Sequence, residues 1–206
     1  MASDGLVYVV DDDDDVRFGL RMLLESAGYH VREFGDATQF LRADREPRAA
    51  CVILDINMPE KSGLELHREL TREGTGLPVI FLTGHGTVPT AVEALRRGAV
   101  DFFQKPIEDD EKLIARVEEA LTIARQAIEH ESARVRARGL LEALTPRERE
   151  IVGQVRLGHA NKVIAIDLGI SERTVELHRG RAMKKLKVRS VPELIRLLEA
   201  DSAAPE

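Results

Sequence analysis

Residues 6–16 read Leu6-Val7-Tyr8-Val9-Val10-Asp11-Asp12-Asp13-Asp14-Asp15-Val16. The first five have the length and β-branched character of a strand buried on both faces. The five carboxylates that follow repel one another. They are either a solvated charge run or, in part, a site. Beyond them Val16–Ser26 carries apolar residues at helical spacing, so the stretch reads strand, acidic turn, helix.

The same unit recurs. Apolar runs at Cys51–Leu54, Val79–Leu82 and Val100–Phe103, with a weaker one at Tyr29–Glu33, alternate with helix-length patterns such as Leu64–Glu73 and Val88–Arg97. Gly28, Gly74, Gly76 and Gly98 fall just past helical stretches, where a residue tolerant of positive φ ends a helix. Strands alternating with helices imply an α/β domain with a parallel sheet covered on both faces, doubly wound. From Asp109 to about Arg138 there is no Gly or Pro, and Leu113, Val117, Leu121, Ala124 and Ile128 form one apolar stripe on a long helix. Its charged later part, Glu129–Arg138, reads as a stiff exposed linker. It is either a plain last helix or a surface for a partner helix.

A second domain opens at Leu144-Thr145-Pro146-Arg147-Glu148, where Thr145 and Glu148 make a capping box and Pro146 takes the first helical position. Four short helices follow, with the tail from Ala200 frayed. Charge separates the halves. Residues 1–110 hold 12 basic against 21 acidic residues, whereas residues 141–190 hold 11 against 6. A basic half in a chain of net charge −6 points to nucleic acid. No apolar run approaches a membrane span. The N-terminus lacks the pattern of a signal peptide. One cysteine, Cys51, leaves no disulfide framework or cysteine zinc site, so a reducing cytoplasm is the expected compartment.

In an open parallel sheet, ligands bind beyond the carboxyl ends of the strands. Asp11-Asp12, Asp55, Thr83 and Lys105-Pro106 end or follow successive strands. Three converging carboxylates call for a cation, and oxygen ligands alone select magnesium. Asp55 then suits a carboxylate nucleophile forming an aspartyl phosphate, with Lys105 balancing phosphoryl charge and Thr83 donating to the new phosphate. Asp13, Asp14 and Asp15 fall in the loop and first helical turn, where acids cap a helix and meet its positive end.

The acid pair, Asp55 followed by Asn57-Met58-Pro59-Glu60-Lys61-Ser62-Gly63, Thr83-Gly84 and Lys105-Pro106 resemble a two-component receiver domain over residues 5 to about 125. That likeness implies a flavodoxin-like sheet of five strands in order 2-1-3-4-5 and a sensor histidine kinase as phosphoryl donor. It implies Asp12, Asp55 and the Asn57 carbonyl as direct Mg2+ ligands, and Asp11 acting through a bound water. It also implies a cis Lys105–Pro106 bond, Phe102 as a switch aromatic, and Asn57 and His85 as tuners of phosphate lifetime. Ile107 departs from the aromatic common there.

Asn161–Leu168, Gly169-Ile170 and a helix capped by Ser171 and running to about Leu186 form a helix-turn-helix pattern. On a wheel, Val175, His178, Ala182 and Leu186 make a narrow buried stripe. Arg173, Leu177, Gly180 and Lys184 oppose it, flanked by Glu176 and Arg181. Lys184, Lys185, Lys187 and Arg189 cluster where they could reach phosphates. Residues 144–198 resemble the LuxR-type domain of NarL/FixJ response regulators, and the stretch at 83–106 looks especially like the FixJ branch. Lys162 and Thr174 join the candidate DNA contacts on the LuxR-type likeness. Glu176 stands where other branches carry a basic residue, and either accepts from a cytosine amine or positions Arg173.

The expected organisation is a receiver at 1–125, a helical linker at 126–143 and a DNA-binding domain at 144–206. The expected function is a regulator that takes a phosphoryl group on Asp55, dimerises and binds promoter DNA, with RNA polymerase a further candidate partner. A small-molecule phosphatase is disfavoured because Asn57 stands where an acid would be needed. A receiver that works without phosphorylation is the alternative.

Overall fold

The computed structural model describes residues 5–84 and 88–202, the side chains of 88–91 and 202 excepted. The chain forms two compact units, residues 1–128 and 129–206.

The first unit alternates β1 (Leu6–Val10), α1 (Asp14–Ser26), β2 (His30–Phe34), α2 (Ala37–Arg42), β3 (Ala50–Asp55), α3 (Gly63–Arg72), β4 (Val79–Thr83), α4 (Val88–Arg96), β5 (Asp101–Gln104) and the start of α5 (Asp110–Glu142). The five strands are parallel, in order β2-β1-β3-β4-β5. Strand side chains alternate between faces, and β1 shows the consequence. Leu6, Tyr8 and Val10 join one core with Phe40, Leu66, Leu70 and Phe81. Val7 and Val9 join the other with Leu20, Leu24, Leu113, Val117 and Leu121. β1, β3 and β4 are buried on both faces, which is why these three read as continuous apolar runs.

The second strand is His30–Phe34 rather than Tyr29–Glu33, and the fifth is Asp101–Gln104 rather than Val100–Phe103. Tyr29 closes the end of α1 instead. Its N–H donates to Leu24 O, and its hydroxyl donates to Glu118 on α5. The first helix starts two residues early because Asp13 caps it, accepting from the N–H groups of Asp15 and Val16. Helix α2 was not singled out because six residues are too few to show a period. Helix α5 runs unbroken for 33 residues. It leaves the first unit's core at Ala124 and reaches the second unit's core through Leu140 and Leu141. Most side chains of 129–138 are exposed between these points.

The second unit adds α6 (Pro146–Arg156), α7 (Asn161–Asp167), α8 (Glu172–Lys185) and α9 (Val191–Ser202). The capping box of Thr145 and Glu148 is present. Gly169, at φ 64°, makes the left-handed turn between α7 and α8. Val175, Ala182 and Leu186 are buried as the wheel implies, whereas His178 is only half-buried. The last helix continues to Ser202, past the expected fraying point at Ala200.

One core polar group has a consequence for stability. His67 on α3 is 5% exposed, stacks edge-on against Phe81, and its Nδ1 has no hydrogen-bond partner among the described residues. Burial, then the charge of Arg97, holds its imidazole below the usual 6.5. The unfolded chain therefore accepts a proton that the native state resists, and stability falls as pH drops below about 6.5. Replacing His67 with Leu should flatten that fall. Urea midpoints at pH 7.5 and 5.5 should differ less for the variant than for the wild type.

Candidate functional site

The strand order reverses beside β1, which places a crevice at the carboxyl ends of β1 and β3. Asp11 follows β1 and Asp55 ends β3. One carboxylate oxygen from each of Asp11, Asp12 and Asp55 lies within 4.8 Å of the others. Asp11 and Asp55 are buried, while Asp12 is exposed at the rim. Lys105 follows β5 and its N–H donates to Thr83 O, which brings its side chain to the same crevice. Its ammonium is 2.6 Å from Asp11 Oδ2 and 3.3 Å from Asp55 Oδ2. The Lys105–Pro106 peptide is cis.

One cation faces three carboxylates, so the pocket is left negative. Burial pushes the Asp11 carboxyl above the usual range, and the Asp55 charge adds to this. The hydrogen bonds from Lys105 and the Asp13 N–H, with the Lys105 charge, pull the other way without cancelling it. Burial alone would lower the Lys105 ammonium, but the hydrogen bond and charge of Asp11, with those of Asp55, carry it above the usual lysine value. Asp55 Oδ1 is buried with no hydrogen-bond partner among the described residues. A buried carboxylate oxygen without a partner is costly unless a ligand meets it. A small divalent cation fits this all-oxygen set, and no His or Cys belongs to the cluster.

Two further candidates, Asn57 and Thr83, meet at the ends of β3 and β4. Thr83 is fully buried at the end of β4, and Asn57 Nδ2 donates to its hydroxyl at 3.0 Å. Phe102 is half-buried against the core that holds Phe81. His85 lies outside the described residues.

Two residues that shape the pocket were not singled out from sequence. The Arg17 guanidinium donates to Asp11 O at 2.6 Å and also pairs with Asp14. It therefore ties the first turn of α1 back to the acid loop, and its spacing of three from Asp14 was a readable signal. Gly63, capped by Ser62 at the start of α3, donates its N–H to Ile56 O. A Cβ added at Gly63 would lie 2.0 Å from Asp55 O. Only glycine lets α3 approach the Asp55 backbone this closely.

The second candidate surface is the exposed face of α8. Arg173, Glu176, Leu177, Gly180, Arg181 and Lys184 are all exposed, as is Lys162 on α7. Two of the expected contacts are engaged within the fold. Lys185 Nζ is 2.6 Å from Oε2 of Glu148, a residue only 2% exposed. That hydrogen bond, with the Thr145 N–H, holds the Glu148 carboxyl down at about 2. Lys185 therefore anchors α8 to α6. Thr174 shares a hydrogen bond between its hydroxyl and that of Ser171. Arg179 Nη1 donates to Asn161 Oδ1 at 2.8 Å and ties α8 to α7.

Residues 7–118 match the response regulator receiver domain, and residues 142–198 match the bacterial regulatory proteins of the luxR family. The transcriptional regulatory protein FixJ of Azorhizobium caulinodans is 44% identical over 97% of this chain and 94% of its own length. The response regulator protein TmoT of Ectopseudomonas mendocina is 40% identical over 96% of this chain and 89% of its own. Among solved structures, the response regulator StyR superposes with a TM-score of 0.84 at 39% identity, covering 96% of this chain and 99% of that one. The chain belongs to the response regulators, joining a receiver to a LuxR-type DNA-binding domain. It is a FixJ-like DNA-binding regulator of transcription. No helix among the described residues is long and apolar enough to cross a membrane.

Gly63→Ala should force α3 away from Asp55 O. The expected cost is about 2 kcal/mol of stability, as for an overpacked core site, together with weaker Mg2+ binding. Chemical denaturation and a Mg2+ titration check both.

Proposed function

We propose that Asp55 is the phosphoacceptor of this regulator, and that a sensor histidine kinase is the donor. The observation that carries the reading is the convergence of Asp11, Asp12 and Asp55 with one lysine, around a buried Asp55 oxygen that has no hydrogen-bond partner among the described residues. Asp11, Asp12, Asp55 and the backbone carbonyl of Asn57 would hold Mg2+. When bound, it supplies positive charge to the phosphoryl oxygens.

In the transfer, an Asp55 carboxylate oxygen attacks phosphorus as the bond from phosphorus to the kinase imidazole breaks. The electron pair of that bond leaves with the imidazole, and an acyl phosphate remains on Asp55. Lys105 swings its ammonium from Asp11 towards the phosphoryl oxygens, and the Thr83 hydroxyl donates to one of them. Phe102 then turns inward and re-shapes the surface of α4, β5 and α5. Water later hydrolyses the acyl phosphate, so the chain turns over only its own Asp55 and acts on no other substrate.

In this reading residues 1–125 are the receiver, 126–143 a helical linker and 144–206 the DNA-binding domain. Phosphorylation promotes a homodimer whose two α8 helices enter the major groove of promoter DNA about one helical turn apart. Arg173, Glu176, Leu177, Gly180 and Arg181 face the bases, while Lys162 and Lys184 face phosphates and Thr174 and Lys185 support the helix. The regulator works in the cytoplasm, where it meets RNA polymerase at the promoter.

Asp55→Asn should abolish labelling by acetyl phosphate in the presence of Mg2+, with the fold retained by circular dichroism. Labelling of the variant at the wild-type rate would place the phosphate elsewhere.

A further inference from the structure

Glu176 is a carboxylate on a face that otherwise presents Arg173, Arg181, Lys184 and Leu177, all exposed. Three glutamates elsewhere in the chain close on an arginine three residues away, whereas Glu65, Glu93 and Glu199 do not. Arg116–Glu119, Glu131–Arg134 and Arg147–Glu150 all form ion pairs. Glu176 has an arginine three residues away on each side and pairs with neither. Arg179 is turned to Asn161, and Arg173 has no ion pair among the described residues.

Gly180, one turn further along α8, leaves the helix surface beside Glu176 bare. A Cβ at Gly180 would meet nothing within 4 Å, so packing within the unit does not require glycine there. The bare backbone lets a ligand approach Glu176 closely.

An unpaired carboxylate carried towards a phosphate backbone is repelled, and the repulsion is offset only by a hydrogen-bond donor on the DNA. In the major groove the donors are the exocyclic amino groups of cytosine and adenine. Adenine sets the N7 acceptor beside its amine and repels the second carboxylate oxygen. Cytosine sets only a C–H there.

We propose that Glu176 reads DNA sequence, accepting a hydrogen bond from the N4 amine of one cytosine in each half-site. The proposal rests on the reading of α8 as the helix that enters the groove. Glu176 would thus trade non-specific affinity for discrimination at one base pair.

The test is selection from a randomised duplex library by the full chain with acetyl phosphate and Mg2+, for the wild type, Glu176→Ala and Glu176→Gln. Alanine favours an exposed helix position, so these variants keep the fold. The wild type should enrich a site with a fixed C·G pair in each half. Glu176→Ala should recover the rest of that site but accept any base at this pair. Changing that cytosine to thymine should weaken the wild type about fivefold, the lower end for one base contact, and leave Glu176→Ala unaffected. Glu176→Gln should shift the preference to adenine, which offers Gln both a donor and an acceptor.

The same enriched site for wild type and Glu176→Ala, with affinity raised equally for all sequences, would make Glu176 a general repulsive charge and overturn the proposal. A fixed adenine in the wild-type site would overturn the assignment to cytosine. A wild type that enriches no sequence would instead remove the reading of α8 on which the proposal rests.

Discussion

Three carboxylates held within reach of one another at a sheet edge are unfavourable in the absence of positive charge. Asp11, Asp12 and Asp55 are brought there by strand geometry, two of them buried. Parallel pairing of β1 with β3 sets Val10 against Leu54, so the next residue of each strand, Asp11 and Asp55, emerges side by side. Lys105 arrives from β5 and neutralises part of the charge. Other features hold this arrangement in place. Arg17 grips the Asp11 carbonyl, Asp13 caps α1 so that the chain turns away after Asp12, and Gly63 lets α3 close on the Asp55 backbone. The uncompensated charge, and an Asp55 oxygen without a partner among the described residues, suit a site that gains a cation.

The second unit separates holding from reading along a single helix. Val175, Ala182 and Leu186 bury one side of α8. Lys185 and Arg179 bind it to its neighbours through Glu148 and Asn161. The exposed side keeps Arg173, Glu176, Arg181 and Lys184 clear of internal ion pairs among the described residues. Polar side chains already satisfied within the fold gain little by turning to a ligand, whereas free ones can.

Much of this was legible in the sequence because its signals are local. Apolar runs ending in Asp, glycines after helical stretches and the Thr145–Glu148 box each act within a few residues. They located the sheet, the acid crevice and the capped start of α6. The five-residue acid run divided as its local context implied: Asp11 and Asp12 belong to the crevice, and Asp13 caps the helix. What escaped depends on partners distant in sequence. A helical wheel shows which way Lys185 leans but not that Glu148, 37 residues earlier, takes its ammonium. The Asn57–Thr83 hydrogen bond crosses between two strand ends. The contact of Gly63 with Asp55 O depends on how α3 seats on the sheet. The shift of β2 by one residue follows from Tyr29 closing α1, which an apolar run alone does not reveal.

Asp12 lies with Asp11 and Asp55 in the acid crevice, while Asp13 caps α1 and Asp14 and Asp15 lie in its first turn. The direct measurement of this division is a Mg2+ titration of the full chain followed by amide NMR, for the wild type, Asp12→Asn and Asp15→Asn. Saturable shifts are expected at Asp11, Asp12 and Asp55–Asn57 in the wild type and Asp15→Asn, and a large loss of affinity in Asp12→Asn. Equal weakening by both substitutions, or shifts spread along the acid run, would mean that the five carboxylates act only as a diffuse field and would contradict the division.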